Sequence, residues 1–357
     1  MKTPKFKSAT DNFHSDLKKR VNGYFEENNI NPHGNGGLLW KAIMLVASFF
    51  VLYTWMVFFT PASAVLSLVV CAVMGLITAA IGFNVMHDGA HGSFSGSPLV
   101  NKLAAGTINI FGASLFMWSM KHNVIHHAYT NVEEFDDDID IQPWLRMSPN
   151  QPRYFAHRFQ FIYFAPLYSL LLILWIFMLD FQKYFRKRIG AMQLKKMSTK
   201  DHISFWAVKL IYIALFIALP IYMVGLVPFL IGFLVYALIT GFVLSIVFQL
   251  AHTFEDTTFA HVTENNANVD TQWAVHQLQT TANFATRSAI VNWYTGGLNF
   301  QVEHHLFPKI SHVHYPAINR IVMQTCADYG VPYQEFPSMH KAVMSHIIFL
   351  KKMGKAA

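Results

Sequence analysis

The sequence predicts an all-α integral membrane protein: four transmembrane helices in two hairpins, with interfacial helices and a cytosolic helical cap that holds a metal site. Three observations predict it. The 357-residue chain is 53% hydrophobic and only 13% charged, which is apolar and charge-poor for a soluble protein of this length. Its charges collect at the N-terminus, in 121–158, in 180–201 and after 252, and long apolar stretches lie between them. Histidines cluster where those stretches end.

Four stretches are long enough to span a bilayer: 38–60, 64–86, 203–224 and 227–250. At 1.5 Å rise per residue, twenty-odd residues cover about 30 Å, the hydrocarbon thickness. Pro61 ends the first span and leaves a tight turn into the second. Pro220 and Pro228 mark an equally short turn between the third and fourth, so both pairs form helical hairpins. Two further apolar stretches, 99–119 and 159–179, are ambiguous. The first is broken by Asn101, Lys102, Gly106 and Asn109, whereas the second is of membrane length.

Orientation decides the second. Residues 181–200 hold Lys183, Arg186, Lys187, Arg188, Lys195, Lys196 and Lys200 without an acid, and the N-terminus holds Lys2, Lys5, Lys7, Lys18, Lys19 and Arg20. The positive-inside rule puts both in the cytoplasm. Four spans allow that and bring every histidine cluster out on the same side. A fifth span at 159–179 would strand His252, His304 and His305 opposite His87. Both ambiguous stretches are therefore expected to lie in the interface or to re-enter. The chain reads as one domain, 1–357. It comprises a cytosolic N-terminal segment 1–37, a first hairpin 38–86, a cytosolic and interfacial region 87–202, a second hairpin 203–250 and a cytosolic cap 251–357.

The net charge of +7 sits largely beside the apolar spans, which fits a lipid-facing cytoplasmic surface. No basic stripe on a soluble domain points to nucleic acid. Cys71 and Cys326 form no C-x-x-C, so neither a disulfide framework nor a zinc ribbon is expected. The first 37 residues lack an early apolar stretch, so no cleaved secretory signal is expected.

The histidine clusters read His87-Asp-Gly-Ala-His91, His122-Asn-Val-Ile-His126-His127, a lone His252, and Gln301-Val-Glu-His304-His305. One such pair means little in a chain with 18 histidines. Two H-x-x-x-H pairs and two adjacent pairs on one membrane face carry the information. Spacing of i, i+4 puts His87 and His91 on one helical face, and His122 and His126 repeat it, while His127 points about 100° away. A divergent adjacent pair can serve two metals, or one metal and the groups around it. Eight imidazoles exceed what one octahedral ion takes, so a two-metal site is the economical reading. Neutral imidazole suits iron among other transition metals.

Competing metal motifs are missing: there is no H-E-x-x-H and no Glu-x-x-His. Carboxylates are expected on the free N–H groups of the ligands. The candidates are Asp88, Glu133, Glu134, Asp136, Asp137, Asp138, Asp140, Glu255, Asp256 and Glu303. Asp88, Asp137, Asp138 and Glu303 are singled out, with His276 beside them. His261, His312 and His314 lie near the site in sequence. His14, His33, His340 and His346 are expected in solvent, and His157 and His202 at interface boundaries. Trp118 and Trp273 read as packing or interfacial residues.

The three boxes, H-x3-H, H-x3-HH and Q-x2-HH, resemble those of the membrane-bound fatty acid desaturases. The stretches HHAYTNVEEFDDDIDIQP, WAVHQLQTTANFA and NWYTGGLNFQVEHHLFP resemble the front-end branch, the delta-5/delta-6-like (linoleoyl-CoA desaturase-like) enzymes, in which a glutamine opens the third box. The resemblance implies a di-iron site under a cytosolic cap. Its ligands would be His87, His91, His122, His126, His127, His252, His304 and His305. Gln301 would bind weakly or through water. Phe248 stands where stearoyl-CoA desaturases place an asparagine that helps hold a metal-bound water, so that feature does not carry over.

The resemblance further implies O2 as co-substrate and an acyl chain on CoA or a lipid as substrate. The product is a cis double bond, and a hydroxylase with a similar iron site is the alternative. Many front-end relatives carry a fused cytochrome with a His-Pro-Gly-Gly motif. No His-Pro occurs in this sequence, so electrons are expected from a separate donor, a ferredoxin or a free cytochrome. Segment 181–200 is the candidate docking patch, with phospholipid head-group contact as the alternative. These features lean towards a bacterial inner membrane rather than the endoplasmic reticulum, with both termini cytoplasmic.

Overall fold

A computed structural model describes residues 2–8, 12–263 and 265–355. Four helices are long and apolar enough to cross a membrane: α2 (Gly36–Phe58), α3 (Ala64–His91), α8 (Thr199–Val224) and α9 (Leu226–His252). A short turn separates α2 from α3, and Gly225 alone separates α8 from α9. Asn35 caps α2 through its side chain, which accepts from the Leu38 N–H at 3.0 Å. Ser63 caps α3, and a Ser198/Asp201 capping box starts α8. The second span runs five residues beyond its expected end, so that the first histidine box is the last turn of α3.

Helices α3 and α9 run side by side in direct backbone contact at Gly75. A Cβ there would lie 2.8 Å from the Tyr236 carbonyl oxygen, so only glycine allows this approach. The Thr240 hydroxyl donates to the Gly75 carbonyl at 3.2 Å across the same contact. Around it, Phe49, Met74, Ile81, Ile108, Phe111 and Tyr212 form the apolar core of the bundle.

The two ambiguous stretches are bent pairs rather than straight rods. Helices α4 (Pro98–Phe111) and α5 (Leu115–Tyr129) meet at 109°, and α6 (Phe155–Ser169) and α7 (Leu171–Arg186) at 57°. The first bend turns at Gly112, whose φ of +67° is a left-handed conformation glycine adopts without penalty. Counting each bent pair as one span would raise the number of crossings from four to six by length and composition.

Beyond the spans, α10 (Trp273–Thr280), α11 (Ala289–Thr295), α12 (Gln301–Leu306), α13 (Tyr315–Tyr329) and α14 (Met339–Lys355) fold over the ends of α3 and α9. The N-terminal segment is not merely a polar leader. Helix α1 (Phe13–Glu27) places Phe13, Leu17, Val21 and Phe25 on one face at i, i+4 spacing, and they pack with Ile318, Val322 and Cys326 of α13. Short strand pairs stitch the loops: β1 (Lys5–Phe6) with β4 (Asn268–Val269), β2 (Arg188–Ile189) with β3 (Met192–Gln193), and β5 (Asn283–Phe284) with β6 (Glu335–Phe336). Cys71 and Cys326 are both free.

Several histidines expected in solvent or at a boundary are built into this scaffold. His346 is fully buried: its Nδ1–H donates to the Thr253 carbonyl at 2.7 Å, and its Nε2 accepts from the Tyr168 hydroxyl at 3.0 Å. Both partners lie far away in sequence, which is why periodicity did not reveal it. Burial pushes the His346 pKa down to about 4. His157 is also buried, donating from Nε2 to the Pro143 carbonyl at 2.8 Å. His14 is partly buried, its ring 5.3 Å from that of Trp273. His340 and His202 are exposed.

Candidate metal centre

The first two boxes sit where the helical repeat loosens. Residues Gly82–Met86 of α3 and Met120–His126 of α5 adopt π-helical turns, with i→i+5 hydrogen bonding. This changes one expectation. An α-helical phase turns His127 about 100° away from His126 and off the face of His122. The π-turn instead stacks residues five apart, and the Nε2 atoms of His122 and His127 lie 3.2 Å from each other. His122 Nε2 also lies 3.1 Å from His87 Nε2.

The structure brings all eight histidines of the boxes together. Seven are buried, and His91 is partly so. They fall into two groups. Ligand atoms of His87, His91, His122 and His304 lie within 4.8 Å of one another, as do those of His126, His252 and His305. His127 lies between the groups, its ring 4.6 Å from that of His304 and 4.4 Å from that of His305. Adjacent residues thus diverge, His126 into the second group and His127 to the space between the two.

The outward nitrogens are held. His126 Nδ1 faces Asp136 at 3.1 Å and Asp138 at 3.4 Å. His252 Nδ1–H donates to the Thr280 carbonyl at 3.2 Å and His304 Nδ1–H to the Tyr315 hydroxyl at 3.1 Å. His305 Nδ1–H donates to Gln277 Oε1 at 2.8 Å, with the Thr130 hydroxyl at 3.3 Å. These contacts fix the proton on Nδ1 and leave the Nε2 lone pair facing inward. Among the described residues the inward Nε2 atoms of His91, His126, His252, His304 and His305 are buried and find no protein partner, and those of His87 and His127 meet only the Nε2 of His122. Each such atom costs about 1–3 kcal/mol if nothing else satisfies it. A set of them converging on one place is a donor set for cations.

The electrostatics suit that reading. Burial, and then the neighbouring imidazoles, hold the pKa values of His122, His127, His304 and His305 well below the usual histidine range, so these rings are neutral. His126 differs. Burial pushes its pKa down, but the carboxylates of Asp136 and Asp138 outweigh that and favour positive charge at this ring. Gln301 sits one helical turn before His304 and His305 on α12, and both its amide atoms are buried without a partner.

The acidic candidates separate. Asp136 and Asp138 touch a ring. Asp88 approaches His87 Nδ1 only to 4.0 Å and instead accepts from His312 Nδ1 at 2.8 Å and the Ser311 hydroxyl at 2.9 Å, tying the end of α3 to the cap. Asp137 turns away to Lys183 at 2.9 Å and Lys121 at 4.0 Å. Glu303 also turns away, accepting from Asn283, Asn319 and Tyr333, because its position on α12 is rotated about 100° from that of His304. Burial pushes its pKa up to about 7. Glu133 pairs with His261 at 2.7 Å, and His276 donates to the carbonyl of Thr130, three residues past His127, at 2.7 Å.

Tyr315, Gln277, Thr280 and Thr130 hold the rings but carry no motif of their own. Gln277 and Thr280 lie in the WAVHQLQTTANFA stretch, which offered the only signal for them. Two aromatic rings wall the site. Trp118 stacks on His122 with centroids 4.6 Å apart, and Phe248 lies 5.0 Å from His126 and 5.2 Å from His252.

Comparison with known proteins converges on the same chemistry. Residues 61–337 match the family model described as fatty acid desaturase. An acyl-lipid (8-3)-desaturase from Physcomitrium patens is 37% identical, over 98% of this chain and 75% of the relative. An sn-1 linoleoyl-lipid 6-desaturase from Synechocystis sp. is 34% identical, over 96% of this chain and 95% of the relative. An acyl-lipid (8-3)-desaturase from Mortierella alpina is 31% identical, over 96% of this chain and 78% of the relative. With four membrane-length helices and two groups of inward-facing imidazoles at their ends, the chain belongs to the fatty acid desaturase family and is an oxidoreductase that desaturates fatty acyl chains.

Proposed function

We propose that this protein is an O2-dependent di-iron desaturase of front-end type, acting on an acyl chain carried by a membrane lipid. The observation that carries the metal assignment is the pair of imidazole groups with unpaired inward nitrogens. One iron would be held by His87, His91, His122 and His304, the other by His126, His252 and His305. His127 sits between them and Gln301 is close by, able to bind directly or through water. All-imidazole donor sets suit iron, and the carboxylates behind His126 offset part of the cationic charge. When bound, the iron pair supplies the activation of O2.

The chain's own residues supply position and dryness. Asp136, Thr280, Tyr315 and Gln277 fix the ring orientations. Trp118 and Phe248 present apolar faces on the side of α5 and α9, against which an acyl chain can lie with bulk water kept out. The lipid carrier and the front-end position are supported by the relatives, named for acyl-lipid and linoleoyl-lipid substrates. All three are named as desaturases, which favours alkene formation over hydroxylation. Both termini and the cap lie on the cytoplasmic side in this reading, as the lysine- and arginine-rich flanks require. The bent pairs α4–α5 and α6–α7 then re-enter or lie in the interface.

Electron balance requires a partner. Reducing O2 to two waters takes four electrons; the two broken C–H bonds give two, and a donor must supply the others together with two protons from water.

The test is gas chromatography–mass spectrometry of fatty acids from a host expressing this chain with a reductase and ferredoxin, beside a His304→Ala control. A new double bond located by derivatisation, present only with the intact protein, is the expected result. A hydroxylated chain in its place, or an unchanged profile from folded, iron-loaded protein, would refute the reading.

A further inference from the structure

The donor required by that balance has to approach a buried centre, and one surface leads to it. The β2–β3 hairpin and its flanks expose Arg186, Lys187, Arg188, Lys195, Lys196 and Lys200. Among the described residues none of these six has an acidic partner within ion-pair distance. Lys183 of the same segment is different, since its charge is taken up by Asp137 at 2.9 Å. Phe185, 65% exposed, stands beside the cations. An exposed apolar side chain next to a run of one sign of charge is the make-up of a surface for a transient, electrostatically steered encounter.

The hairpin is also joined to the wall of the metal centre. Its Ala191 N–H donates to the Glu134 carbonyl at 2.7 Å, which fastens it to the acidic loop. Two residues further along that loop, Asp136 contacts His126 Nδ1 at 3.1 Å, and Asp138 contacts it at 3.4 Å. Lys183, Asp137, Lys121 and Asp138 form a continuous run of ion pairs from the hairpin base to the same ring. A patch that served only to hold lipid head groups would need no such connection.

We propose that this hairpin surface is the docking site for an acidic, soluble one-electron donor, and that electrons enter the centre on the His126 side. The inference rests on the desaturase reading for its need of a donor, and its test reads binding separately from product.

The protein would be placed in nanodiscs of zwitterionic lipid. Binding of a reduced, acidic plant-type [2Fe–2S] ferredoxin, and in parallel of soluble cytochrome b5, would be measured with rising salt. The variant reverses Arg186→Glu, Lys187→Glu and Arg188→Glu together, with iron content and thermal unfolding as folding controls. Expected for the intact protein is binding that weakens with salt. Expected for the variant is a roughly tenfold or greater loss of donor affinity and a flatter salt dependence, with donor KM rising more than kcat falls. Lys195→Glu with Lys196→Glu keeps the proposal testable should the triple variant fail to fold. Donor affinity unchanged by reversal, or no binding of either donor by the intact protein at low salt, overturns it. So does loss of binding to anionic vesicles with donor affinity retained, which would assign the patch to lipid.

Discussion

Replacing Asp136 with Asn should unload one side of the metal centre, and the geometry says by how much. Asp136 is 2% exposed, and everything that faces it is a donor. Its Oδ2 lies 3.1 Å from His126 Nδ1 and 2.9 Å from the Asn131 N–H; its Oδ1 lies 3.2 Å from His126 Nδ1 and 3.1 Å from the Asp138 N–H. An asparagine has one oxygen. In either flip its NH2 group meets a backbone N–H, so at least one buried donor loses its acceptor, and His126 loses the adjacent charge. Losing one hydrogen bond to a charged group is worth about 1.5–3 kcal/mol. Loss of a carboxylate behind a metal-binding imidazole costs about 10–100-fold in metal affinity, the same range in free energy. The effect should fall on the His126, His252 and His305 group, because Asp136 touches no ring of the other. Iron counted per protein by plasma mass spectrometry after dialysis against a weak chelator should drop from two towards one, and turnover should fall at least tenfold. Asp137→Asn, which loses only contacts to Lys121 and Lys183, should keep its iron. Full iron and wild-type turnover in Asp136→Asn would refute the assignment of this carboxylate, and equal losses in both variants would show a loop effect instead.

Three further outcomes follow from the same structure. Tyr315→Phe leaves the His304 Nδ1–H without its acceptor; at about 1–3 kcal/mol for a buried unpaired donor, iron affinity should weaken measurably in a chelator competition, with little change in thermal stability of the loaded protein. His346 stays neutral in the fold with its pKa near 4, so the folded state fails to take up a proton that the unfolded chain gains below about 6.5. Stability is therefore lost as pH falls, by about 2 kcal/mol between pH 6.5 and 5, and His346→Gln should show a shallower drop in Tm over that window; parallel curves would contradict it. Gly75→Leu drives a side chain into the Tyr236 carbonyl, 2.8 Å from where its Cβ must stand; overpacking costs about 1–3 kcal/mol, and Tm in detergent should fall while Gly75→Ala falls less.

The sequence made the large features legible because they are periodic or repeated. Membrane-length apolar runs located the four long helices, and H-x3-H spacing located rings that meet. What it hid has three physical sources. A π-turn changes helical phase without changing composition, so the approach of His127 to His122 could not be read from an α-helical wheel. In an irregular loop, side-chain direction has no period, so nothing distinguished Asp136, which touches His126, from Asp137, which turns to Lys183. Partners distant in sequence leave no local trace, as with His346 held by Tyr168 and Thr253, or His305 held by Gln277. Helix α1 is a different case: Phe13, Leu17, Val21 and Phe25 do carry a helical period, inside a segment whose overall polarity masked it.

Helices α3 and α9 need a common register before any of these rings can meet, and their packed contact supplies it. Helices α3 and α9 lie side by side where the Thr240 hydroxyl meets the Gly75 carbonyl. Twelve residues separate Gly75 from His87, and twelve separate Thr240 from His252. At 1.5 Å per residue each helix climbs about 18 Å from that contact to its first histidine, so His87 and His252 emerge at one level. The π-turn at Gly82–Met86 then adjusts the rotation of His87 and His91 without shifting their height by more than a fraction of a turn. The cap meets an edge already level, and α12 has only to lay His304 towards one group and His305 towards the other. A substitution that slides α3 along α9 therefore separates the two groups of rings, even though Gly75 lies far from every histidine.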